Sequence, residues 1–148
     1  LVTKGQFELG SPVGDWAYYF DDGREKSIEK VINDTVYLMA SWEEDSAHRQ
    51  TVKNGNGLIE ERYVNGVIKA SYTFKNGLKN GAFEERTSNG VLSVSGAFKD
   101  GKKDGSWEFY EYQGILEKKL TYKADSLDGE YLVLSISVRF VLSETPFC

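Results

Sequence analysis

An all-β fold, an antiparallel meander of tandem β-hairpins, is predicted by three observations. Turn landmarks recur along the chain at Gly10, Gly23 and Asp34, then at Gly66, Gly77, Gly90, Gly101, Gly114 and Asp125, with spacings that alternate between 11 and 13 residues and so define a 24-residue period. A period of that size marks a repeat architecture. Asn-Gly or Asp-Gly pairs occupy many of the landmarks, and these are the strongest short-range hairpin signals because both central residues of a type I′ turn need positive φ. Between landmarks, apolar and polar residues alternate with the period of a strand.

Taken in chain order, the units share one pattern of aromatic, turn, and Gly-x-aromatic. Phe7, Gly10 and Gly14-Asp15-Trp16 make the first. Val52-Lys53-Asn54-Gly55-Asn56-Gly57-Leu58-Ile59 is a copy with a shortened turn, and the stretch from about 31 to 51 holds one degenerate copy without glycines. Phe74 to Phe83, with Gly77 and Gly81, aligns without gaps on Phe98 to Trp107, with Gly101 and Gly105; Tyr122, Asp125, Gly129 and Tyr131 follow. About six units result, a hairpin array over residues 1–131. In the tail, 132–148, Val138 stands where a glycine is expected, which leaves a capping strand or a sequence foreign to the repeat. Turns every 11 to 13 residues leave no room for a long helix, except where the signals weaken, from Glu25 to Asn33 or Asp34 to Ala47.

Centring a two-residue turn on each dipeptide fixes a register. Asn89-Gly90 pairs Phe83 with Gly96 and Gly81 with Phe98; Asp100-Gly101 pairs Val94 with Trp107 and Leu92 with Phe109. Neighbouring turns set Gly57 opposite Phe74, Tyr72 opposite Gly81, Trp107 opposite Leu120 and Gly105 opposite Tyr122. Rings thus face glycines, and the second glycine of each unit reads as space for the neighbour's ring. Trp16, Tyr18, Phe74, Phe83, Phe98, Trp107, Phe109 and Tyr122 share this apolar face. The other face carries Glu60, Arg62, Lys69, Ser71, Glu84, Arg86, Ser93, Ser95, Glu108 and Lys119. Such a sheet, wet on one side, is expected to be an elongated twisted single sheet or an open solenoid whose apolar face is covered by coiling, by a partner or by a second copy.

Composition excludes several function classes. The 148 residues are 40% hydrophobic and 28% charged, the profile of one folded domain, and 14% are aromatic. A net charge of −5 gives no electrostatic case for nucleic acid. No apolar run reaches the length of a membrane-spanning helix. Cys148 alone cannot form an internal disulfide, so the compartment, cytoplasmic or exported, is not fixed; the chain opens at Leu1 inside a repeat, where an upstream segment such as a signal peptide is expected.

Gly14-Asp15-Trp16-Ala17-Tyr18-Tyr19-Phe20-Asp21-Asp22-Gly23 and Gly105-Ser106-Trp107-Glu108-Phe109-Tyr110-Glu111-Tyr112-Gln113-Gly114, with the looser Gly81-Ala82-Phe83…Gly90, resemble the variant MORN repeat over roughly residues 5–131. That resemblance implies a β-hairpin array serving as a protein-interaction or membrane-apposition module, and bacterial members include antitoxin-like proteins of toxin systems. The stretch Thr35 to Gln50, with Trp42-Glu43-Glu44-Asp45 and His48, and the run after Tyr131 depart from the pattern.

Chemistry gives little to an enzyme. His48 is the only histidine and no nucleophile motif stands near it; Cys148 has no marked activating neighbour. One His and one Cys give no zinc spacing, and no metal or cofactor is expected. Glu43-Glu44-Asp45 and Glu60-Glu61 have the make-up of a carboxylate pair or a calcium site, but turns and a solvated face account for them. The glycine-rich turns join strands and open no helix, so they are not phosphate loops. Tyr19, Tyr110 and Tyr112 fall on the polar face, and exposed tyrosines suit interfaces. The leading expectation is a non-catalytic scaffold that binds a protein, with a homo-oligomer also open. The alternative is a cell-wall or glycan-binding module, since the Trp16 segment also resembles aromatic choline- or glucan-binding repeats; a small hydrolase is a third class.

Overall fold

The computed structural model describes residues 2–129, 131–134 and 141–143. Its strands are β1 (Val2–Glu8), β2 (Ser11–Tyr19), β3 (Glu25–Ile32), β4 (Thr35–Trp42), β5 (Gln50–Lys53), β6 (Asn56–Arg62), β7 (Ile68–Lys75) and β8 (Leu78–Arg86). They continue with β9 (Leu92–Lys99), β10 (Lys102–Lys103), β11 (Gly105–Tyr110), β12 (Leu116–Lys123), β13 (Ser126–Leu127), β14 (Leu132–Leu134) and β15 (Val141–Ser143). The strands form one antiparallel meander in sequence order that does not close, with β10 and β13 as short pairings on β9 and β12. No helix occurs among the described residues, and the two stretches with weak turn signals are strands β3 and β4. Val138 and Cys148 lie outside the described residues.

The alternating spacings have a physical origin in two alternating turn types. At Leu9-Gly10, Asn33-Asp34, Asn54-Gly55, Asn76-Gly77, Asp100-Gly101 and Ala124-Asp125 both residues have positive φ, the signature of a two-residue type I′ turn. At Gly23, Gly66, Gly90 and Gly114 only the glycine is left-handed, at φ 83–88 for the four positions. There the Gly90 N–H donates to the Thr87 carbonyl (2.8 Å) and the Thr87 N–H to the Val91 carbonyl (2.8 Å), with the same pair of bonds at Tyr63–Val67 and Glu111–Ile115. That is a type I turn followed by a glycine bulge. The expectation of a two-residue turn at every dipeptide is therefore corrected for these positions, because Asn89-Gly90 and Asn65-Gly66 close longer loops.

Register follows the turns. Gly81 pairs with Phe98 and Phe83 with Gly96, as the sequence implies; Gly105 pairs with Tyr122, Trp107 with Leu120 and Glu108 with Lys119. Between β9 and β11 the expectation fails by two residues. Lys103 pairs with Phe98, but Glu108 pairs with Ser95 and Phe109 with Val94. A bulge at Asp104-Gly105 absorbs the difference: the Asp104 N–H donates to the Ala97 carbonyl (3.0 Å), and Gly105 has φ +80. A slip of one residue would have exchanged the faces, but a slip of two preserves them.

This bulge also corrects the reading of the second glycines. Gly14, Gly81, Gly105 and Gly129 all have positive φ, and a Cβ on Gly81, Gly105 or Gly129 would meet nothing within 4 Å. They are glycines because the bulged backbone is left-handed, not because a ring lies on them. The ring-covered glycines are Gly5 and Gly96, where a Cβ would fall inside the indoles of Trp16 and Trp107. Gly57 is a third case, since its Cβ would run into the Thr51 carbonyl.

The chain divides into two compact units, residues 1–59 with 74–78, and residues 60–73 with 79–148. In the first, Val52 is fully buried and Ala40 is buried, and type I′ turns are stitched together as the Gly55 N–H donates to the Met39 carbonyl (2.9 Å) and the Gly77 N–H to the Gly55 carbonyl (2.9 Å). In the second, Gly101 donates to Lys79 and Asp125 to Lys103 in the same way (2.8 and 3.0 Å). Its core is a row of rings: Trp107, 2% exposed, and Phe83, 9% exposed, lie 5.4 Å apart, with Phe98 edge-on to both at 5.4 and 5.2 Å and Tyr122 edge-on to Trp107 at 6.2 Å. The Trp107 indole N–H donates to the Ala97 carbonyl (3.0 Å). Lys79 reaches over Tyr72 and Phe98, and Lys103 over Trp107 and Tyr122, at 4.8–5.2 Å. Rings and lysine stems thus cover one another on a single sheet face.

Candidate interaction surface

In the second unit the opposite face carries a periodic polar ladder. Arg62 pairs with Glu60 at 3.2 Å and Arg86 with Glu84 at 3.1 Å. Each guanidinium also donates to the carbonyl of its turn glycine, Arg62 to Gly66 at 2.9 Å and Arg86 to Gly90 at 3.1 Å. Twenty-four residues on, Tyr110 stands at the arginine position and its hydroxyl donates to Glu108 at 2.6 Å. That carboxylate partner holds the Tyr110 phenol above its usual range. Exposed pairs of this kind contribute about 0–1 kcal/mol each; their regularity matters more than their strength.

The three tyrosines singled out from sequence have different settings. Tyr19, at the end of β2, is half-buried with the Lys4 ammonium 5.5 Å over its ring. Tyr110 is a half-buried strand residue. Tyr112 is 76% exposed and occupies the second position of the turn that starts at Glu111, so strand parity does not govern it; Gln113 donates to its hydroxyl at 3.0 Å. Neighbouring turns of this type are cross-linked in the same unit, as the Tyr63 hydroxyl donates to the Arg86 carbonyl (2.8 Å) and Asn65 to the Ser88 carbonyl (3.0 Å). Of the repeat residues, Trp16 packs edge-on to Phe7 at 5.1 Å, while Phe74 and Tyr122 are half-buried.

Within the degenerate stretch, residues 43–49 between β4 and β5 form a pinned loop. Arg24 donates to the carbonyls of Asp45 (2.7 Å) and Glu44 (2.6 Å) and to the Asp22 carboxylate (2.8 Å); the Arg24 bonds hold the Asp22 carboxyl below its usual range. Arg49 closes the loop on Glu43 at 2.7 Å. His48, at φ +46, stacks on Trp42 at 6.2 Å, and its Nε2 donates to the Glu25 carbonyl at 2.6 Å. Its ring serves the loop's shape. Glu61 accepts the Tyr72 hydroxyl at 2.5 Å, and burial first, then Glu61, pushes that phenol up. No group of three or more His, Cys, Asp or Glu among the described residues could hold a metal ion.

Sequence reasoning missed Lys79 and Lys103, which cap the ring row, and the Tyr72–Glu61 bond. Their signal was present: the two lysines lie one period apart and each follows a turn glycine by two residues.

No family model matches the chain, and no curated protein matches it. Among solved structures, a protein of unknown function from Bacteroides fragilis is similar at 9% identity with a TM-score of 0.22, covering 97% of this chain and 88% of that one; a likeness at that level carries no argument. No helix among the described residues is long and apolar enough to cross a membrane.

Proposed function

We propose that this chain is a non-catalytic repeat scaffold of the MORN type that binds another protein through its polar sheet face and the turns beside it. The observation that carries the reading is the polar ladder of the second unit. Glu60–Arg62, Glu84–Arg86 and Glu108–Tyr110 repeat one arrangement at one spacing, and Tyr112 projects from the following turn at 76% exposure. Repeats present extended surfaces of this kind to partners, and tyrosine supplies contact area with a polar handle. The aromatic face supports the same reading from the other side, since its largest rings are packed on one another and on lysine stems. Rings spent in this way are not offered to a sugar.

The test is capture from the native host set beside a glycan array, with wild type and a Tyr19/Tyr110/Tyr112→Ser variant. Protein capture that the triple variant loses, at a melting temperature within a few degrees of wild type, supports the scaffold. Glycan binding without protein capture moves the protein to the alternative class, and a hydrolytic activity lost on changing His48 or Glu43 overturns the absence of turnover.

A further inference from the structure

Six Asn-Gly pairs stand in the sequence, at Asn54, Asn56, Asn65, Asn76, Asn80 and Asn89. Such a pair carries chemistry of its own, because glycine has no side chain to shield its backbone nitrogen from the asparagine amide carbon beside it. As dipeptides the six are equivalent; the fold separates them. Asn56 and Asn80 lie in strands β6 and β8, and the glycines that follow are laddered, Gly57 to Val52 and Gly81 to Phe98. The Asn56 side chain is tied as well, since its Nδ2 donates to the Asn54 carbonyl (2.9 Å) and its Oδ1 accepts the Asn76 N–H (3.2 Å). Asn54 and Asn76 open type I′ turns, but Gly55 and Gly77 are buried. Their N–H groups are stitched to neighbouring backbone, Gly55 to the Met39 carbonyl and Gly77 to the Gly55 carbonyl, both at 2.9 Å.

Asn65 and Asn89 are left, one repeat apart, each just before the glycine of a type I turn with a bulge. Their side chains differ. The Asn65 amide is held at both ends, as Nδ2 donates to the Ser88 carbonyl and Oδ1 accepts the Val67 N–H, both at 3.0 Å. One repeat on, the Thr87 hydroxyl has taken over the second of these bonds and accepts the Val91 N–H at 3.2 Å. Asn89 is exposed and makes no side-chain hydrogen bond among the described residues. The Gly90 N–H has the turn's own bond to the Thr87 carbonyl (2.8 Å), which breaks when one exposed turn opens and needs no strand to part.

We propose that Asn89 is the site at which this protein spontaneously deamidates. The Gly90 nitrogen attacks the Asn89 Cγ. A new C–N bond closes a succinimide ring as the Cγ–Nδ2 bond breaks, and the proton of the attacking nitrogen leaves with the departing ammonia. Water then adds to either ring carbonyl and opens it to aspartate or isoaspartate. Nothing is oxidised or reduced, and solvent is the co-reactant. The product carries a new negative charge at position 89, and its isoaspartate form lengthens the main chain by a methylene. That methylene falls in the turn whose Gly90 carbonyl accepts from Arg86 at 3.1 Å, so a rung of the polar ladder changes with it.

The proposal does not rest on the scaffold reading, so either can fail alone. The full chain is incubated folded at mildly alkaline pH, and peptide mapping by mass spectrometry with enzymatic isoaspartate labelling follows all six pairs over time; circular dichroism checks folding. Conversion is expected first at Asn89, several-fold faster than at any of the other five, while the same incubation in denaturant brings the six rates together. Asn89→Gln, whose longer side chain closes a ring far more slowly, is expected to remove the early isoaspartate signal and leave the rest. Another pair that converts first in the folded chain, six equal folded rates, an order unchanged by denaturant, or an early signal that survives Asn89→Gln overturns the proposal.

Discussion

Gly96 and Gly105 are glycines for different reasons, and substitution separates them. Gly105 has φ +80 and open space at its missing side chain, whereas a Cβ on Gly96 lies inside the Trp107 indole. Gly105→Ala is expected to cost about 1–2 kcal/mol in denaturant unfolding, the penalty of a left-handed L-residue, and Gly105→Asn less, because Asn tolerates that conformation. At Gly96 both replacements are expected to cost about 1–3 kcal/mol by overpacking. Equal losses for Gly105→Ala and Gly105→Asn would return Gly105 to a packing role. Trp107→Ala is expected to cost about 3–5 kcal/mol, and Tyr110→Ala about 1 kcal/mol, since the latter loses one half-buried hydrogen bond. The phenols of Tyr18, Tyr72 and Tyr110 are all raised. The folded state therefore holds their protons more tightly than the unfolded state, so their contribution is fully present below the ordinary phenol pKa of about 10 and is lost as pH rises through the folded values. Spectroscopic titration of Tyr72→Phe is expected to lack the most strongly raised phenol; an unchanged alkaline limb would contradict that.

At the scale of the element, the ruler of landmarks was legible because each turn type needs a glycine or an Asn or Asp at a left-handed position. What was not legible is that two turn types alternate. Asn89-Gly90 and Asp100-Gly101 look alike as dipeptides, yet the first lies inside a type I turn with a bulge and the second is a type I′ turn. The two-residue bulge at Asp104-Gly105 was hidden for a related reason: it preserves side-chain parity, so the pattern of faces gives no sign of it. The faces were read correctly while the β9–β11 partners were not. Leu9 and Ala124 hold positive φ at the first type I′ position, where Asn is preferred. Leu9→Asn and Ala124→Asn are each expected to raise stability by about 0.5–1 kcal/mol, measured as an increase in the denaturation midpoint; a decrease at both positions would contradict the turn assignment.

For the molecule as a whole, the buried apolar residues among those described are few, with Val52, Ala40, Ala70, Phe83 and Trp107 the buried set. A single sheet layer gains its stability from cross-strand pairs repeated many times and from ring rows capped by lysine stems, not from one large interior. Far-UV circular dichroism is expected to show strand and turn with well under about a fifth helix, against the 30–35% usual in globular domains. The candidate interaction surface was less legible than the fold. Tyr110 and Tyr112 are told apart by a turn boundary that parity cannot see, and the Glu–Arg ladder becomes evident as a ladder only when each arginine is found on its turn carbonyl. The claim on which both faces rest is that alternating turns, with a two-residue bulge after the type I′ turns at Leu9-Gly10 and Asp100-Gly101, set the register. Cross-strand backbone NOEs between β9 and β11 test it most directly: the account predicts contacts of Val94 with Phe109 and of Ser95 with Glu108, and contacts of Val94 with Trp107 and of Leu92 with Phe109 would contradict it.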